Sequence, residues 1–311
     1  MYAQHFGFQR EPFSIAPDPR SLYMSERHGE ALAHLFYGVT SGGFVLLTGE
    51  IGTGKTTLCR AFIEQVPRRC NTAFILNPRQ QPEELLRSIC EEFGVPLPEE
   101  PGSKAQVDAL NAFLLRTHAV GHRNLVIVDE AQALPVPALE QLRLLTNLET
   151  GEHKLLQVIL IGQPELRDIL AGDGLEQLAQ RIVARYHLTA LDAAETVRYV
   201  HHRLQAAGRD PQGVFDDEAL ERVHALSRGV PRLVNVLCDR ALLGAYAAGV
   251  WTVNGPLVDQ AASEAFGPWH QRWRARLWRH RTALAGAGVG IGLGLLLGFL
   301  WWAGPATRAG G

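Results

Sequence analysis

Gly49, Glu50, Ile51, Gly52, Thr53, Gly54, Lys55 and Thr56 follow the spacing G-x-x-x-x-G-K-[ST] between a run that reads as a strand and a run that reads as a helix. The glycines let such a loop fold tightly, so that its N–H groups and the helix N-terminus face phosphate oxygens. Lys55 is placed to neutralise the β and γ phosphates. The Thr56 hydroxyl is placed to coordinate Mg²⁺, and Thr57 lies one step on, toward the α-phosphate. The chemistry implied is phosphoryl transfer from a nucleoside triphosphate.

Downstream, the apolar run Leu125–Val128 ends in Asp129 and Glu130. A parallel strand presents such acids at the carboxyl edge of a sheet, where ligands bind. Asp129 is the expected Mg²⁺ ligand, and Glu130 the base that orients and deprotonates water. Gln163 closes the next apolar run, ahead of Pro164, where a carboxamide can sense the γ-phosphate or cap a helix. Arg181 and Arg185, in LAQRIVARYHL, are expected at the end of a helix that leads into the last strand. Arg181 is the candidate finger for a neighbouring subunit's nucleotide, with Arg185 the alternative, although an arginine there also serves helix-end carbonyls. Arg232 opens a later helix and reads as a γ-phosphate sensor in cis.

The elements that must carry these groups alternate. A helix is expected over 26–40, and apolar runs at 44–48, 72–77, 125–129 and 155–162, with a shorter one at 186–188, read as five buried parallel strands. Helices are expected near 56–66, 82–93 and 104–120. The fold class is α/β, a doubly wound parallel sheet. From Asp192, an expected N-cap, the pattern becomes helical over about 192–207, 216–227, 231–248 and 256–265. The boundaries are 1–190 for the nucleotide-binding domain and 191–266 for a helical lid. A basic linker follows over 267–281, then an apolar segment over 282–303 and a short tail over 304–311.

With 46% apolar and 20% charged residues the chain is neither disordered nor multi-spanning, and a net charge of -2 makes nucleic acid an unlikely general partner. Cys59, Cys70, Cys90 and Cys238 have no metal-site spacing and read as small apolar residues of a reducing compartment. The N-terminus lacks the apolar region of a signal peptide. As a helix, 282–303 would cover about 33 Å, enough for a single pass. Arg272, Arg274, Arg276, Arg279 and Arg281 before it, against Arg308 after it, put the preceding domains on the cytoplasmic side of a bacterial inner membrane. The same arginines would meet anionic lipid.

The P-loop, Asp129-Glu130, Gln163, Arg181 and Arg232, in this order before and within a helical lid, resemble an AAA+ ATPase. With FGFQREPFSIAPDPRSLYMSERHGEAL, GEIGTGKTTL, LVIVDEAQ, LIGQPEL, QRIVARYHL and GVPRLVN, residues 1–265 closely resemble the ExeA or GspA type of general secretion pathway ATPase. Relatives of that type also serve mannose-sensitive pilus and exosortase loci. The resemblance implies ATP as nucleotide, a homo-oligomeric ring, and a role in assembling a cell-envelope export machine with a GspB-like inner-membrane protein. It places Phe13, Ile15 and His28 beside the adenine, though Phe13 and Ile15 also suit a core and His28 a helix cap. Longer members continue into a periplasmic domain with peptidoglycan-binding character, whereas this sequence ends at Gly311. The rival reading is a DNA-transposition-type helper ATPase with a similar core.

Overall fold

The computed structural model describes residues 1–16, 22–76, 78–99, 102–151 and 153–267. Five strands form one parallel sheet: β1 (Gly43–Gly49), β2 (Cys70–Ile75), β3 (Arg123–Val128), β4 (Gln157–Gly162) and β5 (Ile182–Leu188), in the order β2-β3-β4-β1-β5. Their apolar runs are continuous because both faces are covered, so successive side chains need apolar partners on opposite sides.

On one face Phe44, Leu46, Val126, Val128, Val158 and Leu160 pack beneath α4 (Pro82–Glu92), α5 (Ser103–Ala119) and α6 (Val136–Leu145). On the other, Val45, Leu47, Ile127 and Ile159 pack against α2 (Glu26–Ser41) and α3 (Lys55–Gln65). Two short helices, α7 (Glu165–Leu170) and α8 (Glu176–Gln180), then lead into β5. The expected strand at 186–188 is longer than its apolar residues suggested. It begins at Ile182, so Arg185 lies within the strand rather than on a helix.

Beyond the sheet come α9 (Ala193–Ala206), α10 (Asp217–Ser227), α11 (Pro231–Ala247) and α12 (255–267). The Asp192 side chain accepts from the Glu195 amide and the Glu195 side chain accepts from the Asp192 amide, a capping box that starts α9 where the sequence placed it. The core of this helical module also takes in the start of the chain. Tyr2 and Phe6 of α1 (Tyr2–Phe6), together with Phe8 and Phe13, pack with Leu191, Val200, Val234 and Val258.

The expectation of a single-pass inner-membrane protein is corrected: among the described residues no helix is long and apolar enough to cross a membrane. The apolar segment 282–303, the arginines before it and the tail after it lie outside the described residues.

Candidate functional site: a triphosphate cradle under a helical module

The loop between β1 and α3 turns through Gly52 and Gly54, at φ 85° and 98°, which an L side chain adopts only with strain. The first of these glycines is needed for another reason. A Cβ on Gly52 would lie 2.6 Å from Cβ of Arg232, because the Arg232 amide donates to the Gly52 carbonyl at 3.2 Å. The helical module therefore rests directly on the loop.

Lys55 Nζ donates to the carbonyls of Gly49 at 2.7 Å and Glu50 at 2.9 Å. Its burial lowers its pKa, opposed by the charges of Glu130, Asp129, Glu50 and Glu165. Thr53 is fully buried and its hydroxyl donates to Glu50 O, which stiffens the loop from inside. Ile51 is exposed at the loop tip.

Thr56 and Asp129 meet across the gap between α3 and β3. The Thr56 hydroxyl donates to Asp129 Oδ2 at 2.7 Å, and the Glu130 amide donates to Oδ1 at 2.9 Å. Burial pushes the Asp129 carboxyl up, and these two hydrogen bonds pull it back. Among the described residues no group of three or more His, Cys, Asp or Glu side chains could hold a metal ion. A hydroxyl beside a carboxylate instead fits a hard cation such as Mg²⁺, which draws its remaining ligands from water and phosphate oxygens.

Glu130 sits at φ 53°, a left-handed conformation uncommon outside glycine, at the turn from β3 into a single 3₁₀ turn (Ala131–Ala133). Its Oε2 accepts from Gln132 Nε2 at 2.6 Å and from Gln163 Nε2 at 3.1 Å, and the Gln163 amide donates to Gln132 Oε1 at 3.1 Å. The structure thus brings Glu130 and Gln163, two of the residues singled out in the sequence, into contact. It adds Gln132, whose role the sequence reading did not assign although it lies in the same DEAQ run.

A cavity of about 350 Å³ runs from the loop to the helical module. One end is lined by Gly52, Thr53, Gly54, Lys55, Thr56 and Thr57. Arg232 and Asn235 of α11 form one flank, and Ile15, Ala16, Leu22, Tyr23 and Leu191 form the less polar far end. Ile15 lines the wall and is 61% exposed. Phe13 is corrected: it is 1% exposed, meets Phe215 edge to face at 6.1 Å, and belongs to the core of the helical module. A large apolar ring next to that core gains more from full burial than from a half-open wall.

His28 also lines the cavity. The neutral form matches its surroundings: the Ser25 hydroxyl lies 2.7 Å from Nδ1 and Thr53 O lies 3.3 Å from Nε2. Burial lowers its pKa.

The two finger candidates do not meet this site within one chain. Arg181 lies at the start of β5, at the sheet edge away from the loop, where its Nη1 donates to Arg143 O and Thr146 Oγ1, both at 3.0 Å. Arg185 is exposed, and its Nη2 donates to Ala179 O at 2.7 Å.

Residues 39–170 match the family model described as an AAA domain. The chain is 50% identical over 304 residues to General secretion pathway protein A of Aeromonas hydrophila, an alignment covering 97% of this chain and 54% of that protein. The chain thus spans about half the length of the curated relative it matches. Among solved structures, the ORC2 protein of Aeropyrum pernix, in ADPNP and ADP complexes, superposes with a TM-score of 0.63 at 21% identity, covering 83% of this chain and 72% of that one. A Walker-type ATPase of Pyrococcus abyssi superposes with a TM-score of 0.59 at 18% identity, covering 86% and 80%. These likenesses are of fold. Cradle, acids, sheet order and sequence agree: the chain carries an AAA domain of the P-loop ATPase fold and is a homologue of General secretion pathway protein A.

Proposed function

We propose that this protein binds ATP with Mg²⁺ in the cavity beneath the helical module and hydrolyses it. The observation that carries the reading is the convergence of five side chains beside the loop: Lys55 on it, the Thr56–Asp129 pair at 2.7 Å, and Glu130 held by Gln163. In the reaction Lys55 exchanges the carbonyls of Gly49 and Glu50 for the β and γ phosphates. Glu130 takes the proton of the attacking water, and Gln163 orients that water against the γ-phosphate. Thr56 and Asp129 would hold Mg²⁺, which when bound would neutralise phosphate charge. Arg232 reads the γ-phosphate from the helical module.

The reading extends to a homo-oligomer. In it Arg181 or Arg185, neither of which reaches its own loop, serves as the finger that stabilises transition-state charge at a neighbour's nucleotide. Residues 1–190 form the nucleotide-binding domain and 191–266 the lid, with residues 1–13 moving with the lid whose core they share. The similarity to General secretion pathway protein A supports a role in assembling a cell-envelope export machine, with a GspB-like partner.

ATP turnover by the full chain with Mg²⁺ tests the enzyme reading. Glu130→Gln is expected to lower kcat by about 100-fold or more while nucleotide still binds, the usual weight of a general base. Equal turnover in the two proteins removes the claim.

A further inference from the structure

Among the described residues, the chain leaves the helical module after Phe13 and returns to it between Leu188 and Asp192. Both crossings border the cavity, through Ser14, Ile15 and Ala16 in the first and Leu191 in the second. Ile15, Ala16 and Leu191, with Leu22 and Tyr23, give the cavity its apolar and aromatic lining, suited to a flat heterocycle.

What holds the first crossing is Arg203 of α9. The side chain is 8% exposed. Its Nε donates to Pro12 O at 2.6 Å, Nη2 donates to Ser14 O at 2.8 Å, and Nη1 donates to the Tyr199 hydroxyl at 3.3 Å. The guanidinium carbon lies 5.9 Å from the Tyr199 ring centre, and the Tyr199 hydroxyl donates to Asn235 Oδ1 at 2.8 Å. Arg203 and Asn235 both line the cavity.

Among the described residues no carboxylate pairs with Arg203. Removing a guanidinium from water costs more than removing a neutral donor, so a mere strut gains nothing from the charge. The planar fork is what the geometry uses: three donors in fixed directions reach two carbonyls of one strap and a hydroxyl of its own helix.

We propose that Arg203 is the positioning residue for the base end of the nucleotide cavity. It holds residues 12–16 on α9, so that preference for a base-bearing nucleotide over bare triphosphate depends on the helical module. The proposal rests on the nucleotide reading above and adds to it a named residue and a separable readout.

The experiment measures, on the full chain with Mg²⁺, the affinity for ATP and for inorganic triphosphate, together with KM and kcat for ATP. It compares the wild type with Arg203→Ala and Arg203→Lys. Arg203→Ala is expected to weaken ATP about tenfold, as loss of well-made buried hydrogen bonds implies, and to change triphosphate by no more than about twofold. KM rises while kcat holds within about threefold, the mark of lost binding rather than lost transition-state contact. Arg203→Lys, which can make part of the fork, falls between, and it reads the same question if the alanine variant does not fold. Equal losses for both ligands, or no loss for either, overturn the latch. Wild type that binds triphosphate as tightly as ATP overturns the base wall. Wild type that binds neither ligand overturns the nucleotide reading and the latch with it.

Discussion

Gln132 holds Glu130: its side-chain amide donates to Oε2 at 2.6 Å, while its own oxygen accepts the Gln163 amide at 3.1 Å. The two glutamines thereby fix the acid in a backbone conformation, φ 53°, that it would not adopt unaided. Both donors meet Oε2, which leaves Oε1 to take a proton. Gln132→Ala is expected to lower kcat about tenfold through loss of orientation, with KM little changed and a stability cost of about 1 kcal/mol. Steady-state kinetics beside thermal unfolding check this. An unchanged kcat would show that Gln163 alone positions the acid.

His28 makes the stability of the protein depend on pH. Burial lowers its pKa in the folded state from the ordinary 6.5. Below 6.5 the unfolded chain therefore takes up a proton that the folded chain does not, and folding is progressively disfavoured until the lowered pKa is passed. Above 6.5 both states hold the neutral ring and the penalty is absent. His28→Gln removes this term, so the melting temperature of the wild type should fall more steeply than that of the variant as pH drops below 6.5. Parallel curves for the two proteins would contradict it.

Gly229 joins the two bodies at the second crossing. Its φ is 70°, and a Cβ there would lie 1.8 Å from Leu191 O, while the Gly229 carbonyl accepts the Leu191 amide at 3.0 Å. No side-chain rotation relieves a clash with backbone. Gly229→Ala is expected to cost about 3 kcal/mol, at the upper end of ordinary single substitutions, and to lower the melting temperature accordingly. Three residues later Arg232 of α11 donates its amide to Gly52 O of the loop, so nucleotide affinity should fall in the same variant. Calorimetry with and without ATP reads both effects.

Residues close in sequence made much of this protein legible from the sequence. The spacing from Gly49 to Thr56 and the Asp129-Glu130 pair are local, and the physics that makes them useful, a tight loop before a helix and acids at a strand end, is local too. Four of the five strands were equally plain, because burial on both faces leaves unbroken apolar runs. The fifth was foreshortened, since Arg185 and His187 interrupt it on an edge strand with only one neighbour. Helix α6 was not anticipated, because Pro135 and Pro137 at its start obscure the period of the apolar residues that follow.

Tertiary structure decided what depends on distant partners. Ser14 and Arg203 lie 189 positions apart, yet they are hydrogen-bonded and both line the cavity. Phe13 reads equally as base contact or as core until the helical module supplies Phe215. Arg181 reads from the sequence as a finger for a neighbouring nucleotide or a partner of helix-end carbonyls, and only the sheet puts it at the end away from its own loop, against Arg143 O and Thr146 Oγ1. Periodicity and spacing act through the neighbouring backbone and are written along the chain. Which side chains meet across it is settled only when the two cores close, because burial there is shared by residues with no pattern in common.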